Sequence, residues 1–315
     1  MANVKISALP VVTSLSPTDV LPVVAGTATS QISLQNLSST LSTVPSASYA
    51  LTASYALNGG SGGGSISTSG STLYSTNPSV GTGFSVINSI FLGNSAGYLA
   101  PFASGSNFLG YNAGYGASRA HNSNMLGYDA GYNAYSASNS NFFGQNAGDQ
   151  AFSANNSNFL GYWAGKGAVS ADNSNFLGLQ AGYLATGTSD SNFLGQAAGR
   201  EATNAYYSNF SGYQAGYQST DAQYCNFLGY QAGYQLSNVS YANFLGAEAG
   251  YQAINAYESH FLGYQAGYQA TNANNSNFIG SSAGYKAYSA SYSIALGYSA
   301  GNGNFGGSMG ANNIV

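Results

Sequence analysis

One spacing constrains this chain more than any other feature. Between Ser89 and Gly301 the sequence returns to itself every 17 residues. The glycine after the Phe-Leu pair recurs at Gly93, Gly110, Gly127, Gly144, Gly161, Gly178, Gly195, Gly212, Gly229, Gly246, Gly263, Gly280 and Gly297, thirteen copies without an insertion or deletion. An Ala-Gly pair follows in each, from Ala96-Gly97 to Ala300-Gly301. A period held this strictly marks stacked units rather than a globular core. Seventeen residues are too few for the paired helices of helical repeats, which need roughly 33 or more. Two glycines per unit, with many Asn and Ser residues, also disfavour helix. The expected fold is therefore all-β: a parallel β-solenoid of thirteen coils spanning residues 89–304. Neighbouring coils about 4.7–4.9 Å apart give a rod of roughly 55–60 Å.

In a stacked coil each position becomes a column. The invariant glycines imply positive φ or an approach too close for a Cβ. Ala113, Ala130, Ala117 and Ala120 mark small inward columns, and the Leu column beside them is read as inward too. Adjacent strand residues face opposite ways. Phe108, Phe142, Phe159, Phe176, Phe193, Phe210, Phe227, Phe244, Phe261 and Phe278 are then expected to point outward. Exposed, they would form an apolar stripe that soluble monomers rarely carry, so the expectation is a homotrimer that buries the stripe between chains. With Phe inside and Leu outside, an apolar stripe would still need cover. The Asn column (Asn107, Asn124, Asn141, Asn158 and onward, with His260 once) allows a ladder of stacked amides.

Charged residues are 4 % of the chain, against roughly 25 % in ordinary soluble domains. Five Lys and Arg at a net charge of −4 leave no footprint for nucleic acid. The lone Cys225 sits in the small Ser column, as a buried serine substitute without a disulfide partner. No apolar run of about 20 residues is present to span a membrane, and Met1 to Val12 lacks the pattern of a cleavable secretion signal.

Ahead of the repeats, residues 1–45 differ in composition and read as an anchoring module, with a short helix expected over Ser33–Leu41. Residues 46–65 form a Ser/Ala/Tyr stalk and Gly/Ser linker, residues 66–88 start and cap the solenoid, and residues 305–315 are a tail. The pattern KISALP…TDVLPVVAGTATSQISLQNL, over residues 4–41, resembles the amino-terminal module of tailed-bacteriophage fibre and virion-appendage proteins. That resemblance implies attachment to a particle, and location in the virion after host lysis. The repeats are also distantly similar to the heads of trimeric autotransporter adhesins, although the period here is longer.

Chemistry is sparse. His121 and His260 fall in different columns without acids at a fixed offset, so metal and triad arrangements lack a basis. Asp129, Asp149, Asp172, Asp190, Glu201, Asp221, Glu248 and Glu258 are scattered among columns. No phosphate loop is present. The expectation is a non-enzyme without catalytic residues, metal or cofactor. Two functional classes remain. The first is a structural fibre whose partners are its own copies and, through residues 1–45, other virion proteins. The second is a binding module that recognises host glycan through exposed tyrosines. Tyr111, Tyr128, Tyr162, Tyr213, Tyr230 and Tyr264 are the candidate contacts. A second column holds Tyr115, Tyr132, Tyr183, Tyr217, Tyr234, Tyr251 and Tyr268. Ice binding is disfavoured because Thr186, Thr188, Thr203, Thr220 and Thr271 look sporadic.

Overall fold

A computed structural model describes residues 20–25, 28–33, 66–69, 72–75, 88–303 and 314, with side chains from residue 88 onward. The chain divides into two units, Met1–Gly60 and Ser61–Val315. In the first, β1 (Val20–Ala25) pairs antiparallel with β2 (Ala28–Ser33). Ser33, the first residue of the expected Ser33–Leu41 helix, closes β2; the rest of that helix and the remaining expectations for residues 1–65 lie outside the described residues, as does most of the 305–315 tail.

The second unit is a parallel β-solenoid. Its sheet has 15 strands. It begins with the antiparallel pair β3 (Ile66–Ser69) and β4 (Thr72–Ser75) and continues in strict sequence order from β5 (Ile90–Leu92) to β17 (Ile294–Leu296). Each coil contributes one three-residue strand, in register with the next: Asn175, Phe176 and Leu177 pair with Asn192, Phe193 and Leu194. A second ladder, one residue wide, runs through Ser118, Tyr135, Phe152, Val169, Thr186, Thr203, Thr220, Ser237, Ile254, Thr271 and Tyr288. Four of the five threonines that looked scattered therefore stand in one column.

Five columns point inward, and they hold one Ser, one Phe and three Ala per coil. In the coil beginning at Ser157 these are Ser157, Phe159, Ala164, Ala168 and Ala171, all fully buried. The expected direction of the Phe column is reversed. Phe108, Phe142, Phe159, Phe176, Phe193, Phe210, Phe227, Phe244, Phe261 and Phe278 are each 0 % exposed within a single chain, so none can line a contact between rods. The Leu column faces out instead, with Leu177 at 37 %, Leu194 at 42 % and Leu228 at 43 % exposed.

The reason lies in volume. Four small columns leave room for one flat ring per coil, and a flat ring matches the rung height. Phe159–Phe176 and Phe193–Phe210 stack at centroid distances of 4.7 Å with planes 3° apart, the same spacing as paired strands. Within each coil the ring lies on the second glycine. A Cβ on Gly165 would come within 2.5 Å of the Phe159 ring. The first glycine has a different constraint, since a Cβ on Gly144 would meet the Gly161 carbonyl oxygen of the next coil at 2.6 Å.

The rest of the coil turns through left-handed backbone. In the coil from Cys225 to Tyr241, Gln231, Gly233, Gln235, Asn238 and Tyr241 all have φ between 49° and 64°. Asn and Asp tolerate this region best, and Asn recurs at two of these positions, as at Asn122, Asn139 and Asn156 and at Asn238, Asn255 and Asn272. Peptide groups at the turns hydrogen-bond from coil to coil, as in Gln231 N–H to Tyr213 O at 2.8 Å.

The buried serines complete the interior. Ser191 Oγ donates to the Ala205 carbonyl at 2.7 Å and accepts from the Ser208 N–H at 3.0 Å. The same two bonds recur at Ser106, Ser123, Ser140 and Ser157. Each hydroxyl thus ties its own coil shut and holds the next coil in register. Cys225 occupies this column with Sγ 3.3 Å from the Val239 carbonyl. Burial raises its thiol pKa to about 12, while the Ala242 and Tyr241 N–H groups facing it pull the other way.

Candidate interaction surfaces

The outward side chains of the three-residue strands build the first surface. Asn amides line one side of the strand. Asn141 Nδ2 donates to Asn158 Oδ1 at 2.7 Å, and the chain of such bonds runs from Asn107 to Asn243, where Nδ2 lies 3.0 Å from His260 Nδ1. The Leu column lines the other side. Between them runs a shallow groove along the rod axis. One stretch, of about 740 Å³, is lined by Asn141, Phe143, Asn158, Leu160, Asn175, Leu177, Asn192, Leu194 and Asn209. A second, of about 650 Å³, continues over Asn226, Leu228, Asn243, Leu245, His260, Leu262, Asn277 and Ile279.

The tyrosines build the second surface, and their stacking decides what they can do. Tyr111 stacks on Tyr128 at 5.0 Å, and Tyr213 on Tyr230 at 5.3 Å. Tyr115 and Tyr132 stack likewise, as do Tyr217 with Tyr234 and Tyr251 with Tyr268. A stacked ring offers solvent its edge and hydroxyl, while its face is covered by the ring above. Tyr162 lies against Trp163 at 4.9 Å. Among the six proposed contacts only Tyr264 makes no ring contact in the described residues, at 52 % exposure. The phenols of Tyr234 and Tyr268 titrate above their ordinary value. Partial burial is the largest cause, followed by neighbouring phenols; for Tyr268 the Glu248 carboxylate adds to it. Those neighbours include Tyr213 for Tyr234 and Tyr264 for Tyr268, each from the other tyrosine column.

A third feature breaks the columns where the second tyrosine column carries Asp149, Lys166 and Arg200. Lys166 Nζ pairs with Asp149 Oδ2 at 2.8 Å and lies 5.3 Å from the Trp163 ring centre. Arg200 sits over Tyr183 and Tyr217, at 5.1 and 5.6 Å, and donates to Glu201 and Gln180. Both ion pairs among the described residues belong to this region.

Six of the eight carboxylates among the described residues accept from an amide one coil away. Asp129 accepts from Asn112, Asp172 from Asn155, Asp190 from Asn173, Glu201 from Gln218, Asp221 from Asn204 and Glu248 from Gln265. Each is the acceptor at one rung of an amide ladder. No group of three or more His, Cys, Asp or Glu side chains among the described residues is placed to hold a metal ion, and no helix there is long and apolar enough to cross a membrane. No family model, curated protein or solved structure matches the chain.

Proposed function

We propose that this chain is a structural fibre of a bacteriophage virion. In this reading residues 1–45 anchor it to other virion proteins and the solenoid projects as a rigid rod, assembled as a homotrimer. The observation that supports self-association is the Asn–Leu groove. It is apolar on one wall, it recurs from coil to coil, and its two stretches over the nine coils from Asn141 to Ile279 span about 38 Å at the strand spacing. A surface that repeats at this interval is matched best by another solenoid of the same pitch, and a closed ring of three copies buries every stripe at once. The trimer axis thus moves from the Phe column to the Leu column.

The experiment is solution mass by light scattering, on the full chain and on one starting near Gly64, with Leu177→Asn/Leu194→Asn beside each. A trimer that survives loss of the amino-terminal module and falls to monomer in the double variant supports the reading. A monomeric wild type overturns it. A second reading, glycan recognition by the tyrosine face, is favoured by one specific observation: Tyr264 is half exposed and stacks on no other ring among the described residues.

A further inference from the structure

The outer tyrosine column is interrupted at two places by a small residue. From coil to coil it runs Tyr213, Tyr230, Ala247, Tyr264, Ser281 and Tyr298. Its other interruptions, at Gln145, Leu179 and Gln196, carry side chains long enough to fill the rung. At Ala247 a rung is missing. Tyr230 has one face on Tyr213 and turns the other toward the coil of Ala247; Tyr264, one coil further on, makes no ring contact. Two rungs separate Tyr230 from Tyr264, or about 9.5 Å at the strand spacing. A flat ring placed midway would lie about 4.8 Å from each, within the range in which rings stack. The Phe and Tyr ladders of this chain keep that same interval, 4.7 Å for Phe210–Phe227 and 4.9 Å for Tyr234–Tyr251.

The slot also has a polar flank. Glu248 follows the floor residue and accepts from Gln265 Nε2 through Oε2 at 2.9 Å. Its other oxygen takes no hydrogen bond among the described residues. The Gln265 bond ties the carboxylate, on the residue that follows Ala247, to the residue that follows Tyr264. Two tyrosines a double rung apart, a small floor and an acceptor-only carboxylate beside it suit a ring with apolar faces and hydroxyl donors around its edge. We infer that the slot over Ala247, between Tyr230 and Tyr264, binds a hexopyranose ring. The inference rests on the glycan reading and gives it a location, and it is independent of whether the rods trimerise. The interruption at Ser281, between Tyr264 and Tyr298, repeats the walls with Ser282 in place of the carboxylate.

The test is saturation-transfer NMR on the full chain with methyl glucopyranoside, galactopyranoside and mannopyranoside, and with phenol as a flat ring lacking ring hydroxyls. Ala247→Tyr completes the ladder and closes the slot, so it should remove most of the transfer to the bound sugar without lowering thermal stability. Glu248→Gln should weaken binding several-fold. Gln196→Tyr, which adds a ring elsewhere in the same column, should leave it unchanged. Sugar binding undiminished in Ala247→Tyr, with Ser281→Tyr made beside it to subtract the second gap, overturns the site but leaves the glycan reading standing. No transfer to any of the three sugars overturns both, and binding of phenol alone overturns the sugar assignment.

Discussion

Ala242 is the one position in the buried serine column that has no hydrogen-bonding side chain, and it allows a gain to be predicted as well as a loss. A serine two coils further along the column shows what a hydroxyl does there: Ser276 Oγ donates to Ala290 O at 2.6 Å and accepts from Ser293 N at 3.1 Å. At position 242 the corresponding partners are the Ala256 carbonyl and the Ser259 N–H. Ala242→Ser should restore both bonds in space already shaped for serine. At about 1 kcal/mol net for each, the variant should be roughly 1–2 kcal/mol more stable. Ser191→Ala makes the opposite change. It strands the Ala205 carbonyl and the Ser208 N–H inside the coil, at roughly 1–3 kcal/mol for each buried group left unpaired. Urea unfolding followed by far-ultraviolet circular dichroism measures both, provided the slope stays constant so that midpoint shifts report stability. A destabilised Ala242→Ser, or a neutral Ser191→Ala, would refute the view that these hydroxyls tie one coil to the next.

Three further outcomes follow from the same interior. Phe193→Ala removes a ring stacked at 4.8 Å on Phe176 and 4.7 Å on Phe210, and should cost about 3–5 kcal/mol by the same denaturation assay. Ser219 occupies an Ala column and its buried Oγ has no hydrogen-bond partner. Ser219→Ala should therefore stabilise by about 1 kcal/mol, read as a rise in Tm. Cys225 should resist alkylation in the folded chain and react fully in urea, followed by mass spectrometry. Its thiol pKa rises from 9.0 unfolded to about 12 folded, so its contribution is intact below pH 9 and is lost as pH climbs from 9 towards 12. The loss is at most roughly 4 kcal/mol at 1.36 kcal/mol per unit. Cys225→Ser should flatten that part of the profile relative to wild type.

The fold was legible because periodicity alone dictates stacking, and the 17-residue register of the strands is the register of the glycines. What the alternation of Phe and Leu could not supply was which of the two faces inward. It says only that they differ. The deciding signal was present in the second glycine of each unit, six residues after the Phe. A glycine buried under a ring is needed only if the ring is inside, as Gly165 beneath Phe159 shows. The threonine column was missed for a related reason. Thr186, Thr203 and Thr220 share the repeat spacing, but Val169, Ser237 and Ile254 share the column with them, so the position is defined by its place in a ladder of single bridges and not by one residue type. Six of the carboxylates looked scattered because they follow amide ladders in several columns.

The candidate site was harder to read from the chain, and the physical reason concerns what a ladder does to a side chain. Repetition suggests that recognition lies in the residues that recur most, here the tyrosines. Stacking works against that. A tyrosine that recurs in consecutive coils covers its neighbour's face, so Tyr217 and Tyr234 rigidify the rod while leaving little aromatic surface for a ligand. Free faces arise only where the column fails. In a rod of near-identical coils the informative positions are therefore departures from the repeat: Ala247 and Ser281 among tyrosines, and Asp149, Lys166 and Arg200 in the neighbouring column. Each such departure gives up the stacking that the consensus residue would supply, about 0.5–1.5 kcal/mol for an aromatic pair. Ala247→Tyr is a direct measure of that sacrifice. A more stable variant that no longer binds sugar would show that stability has been exchanged for a site; a variant no more stable than wild type would mean that the missing rung cost the rod nothing.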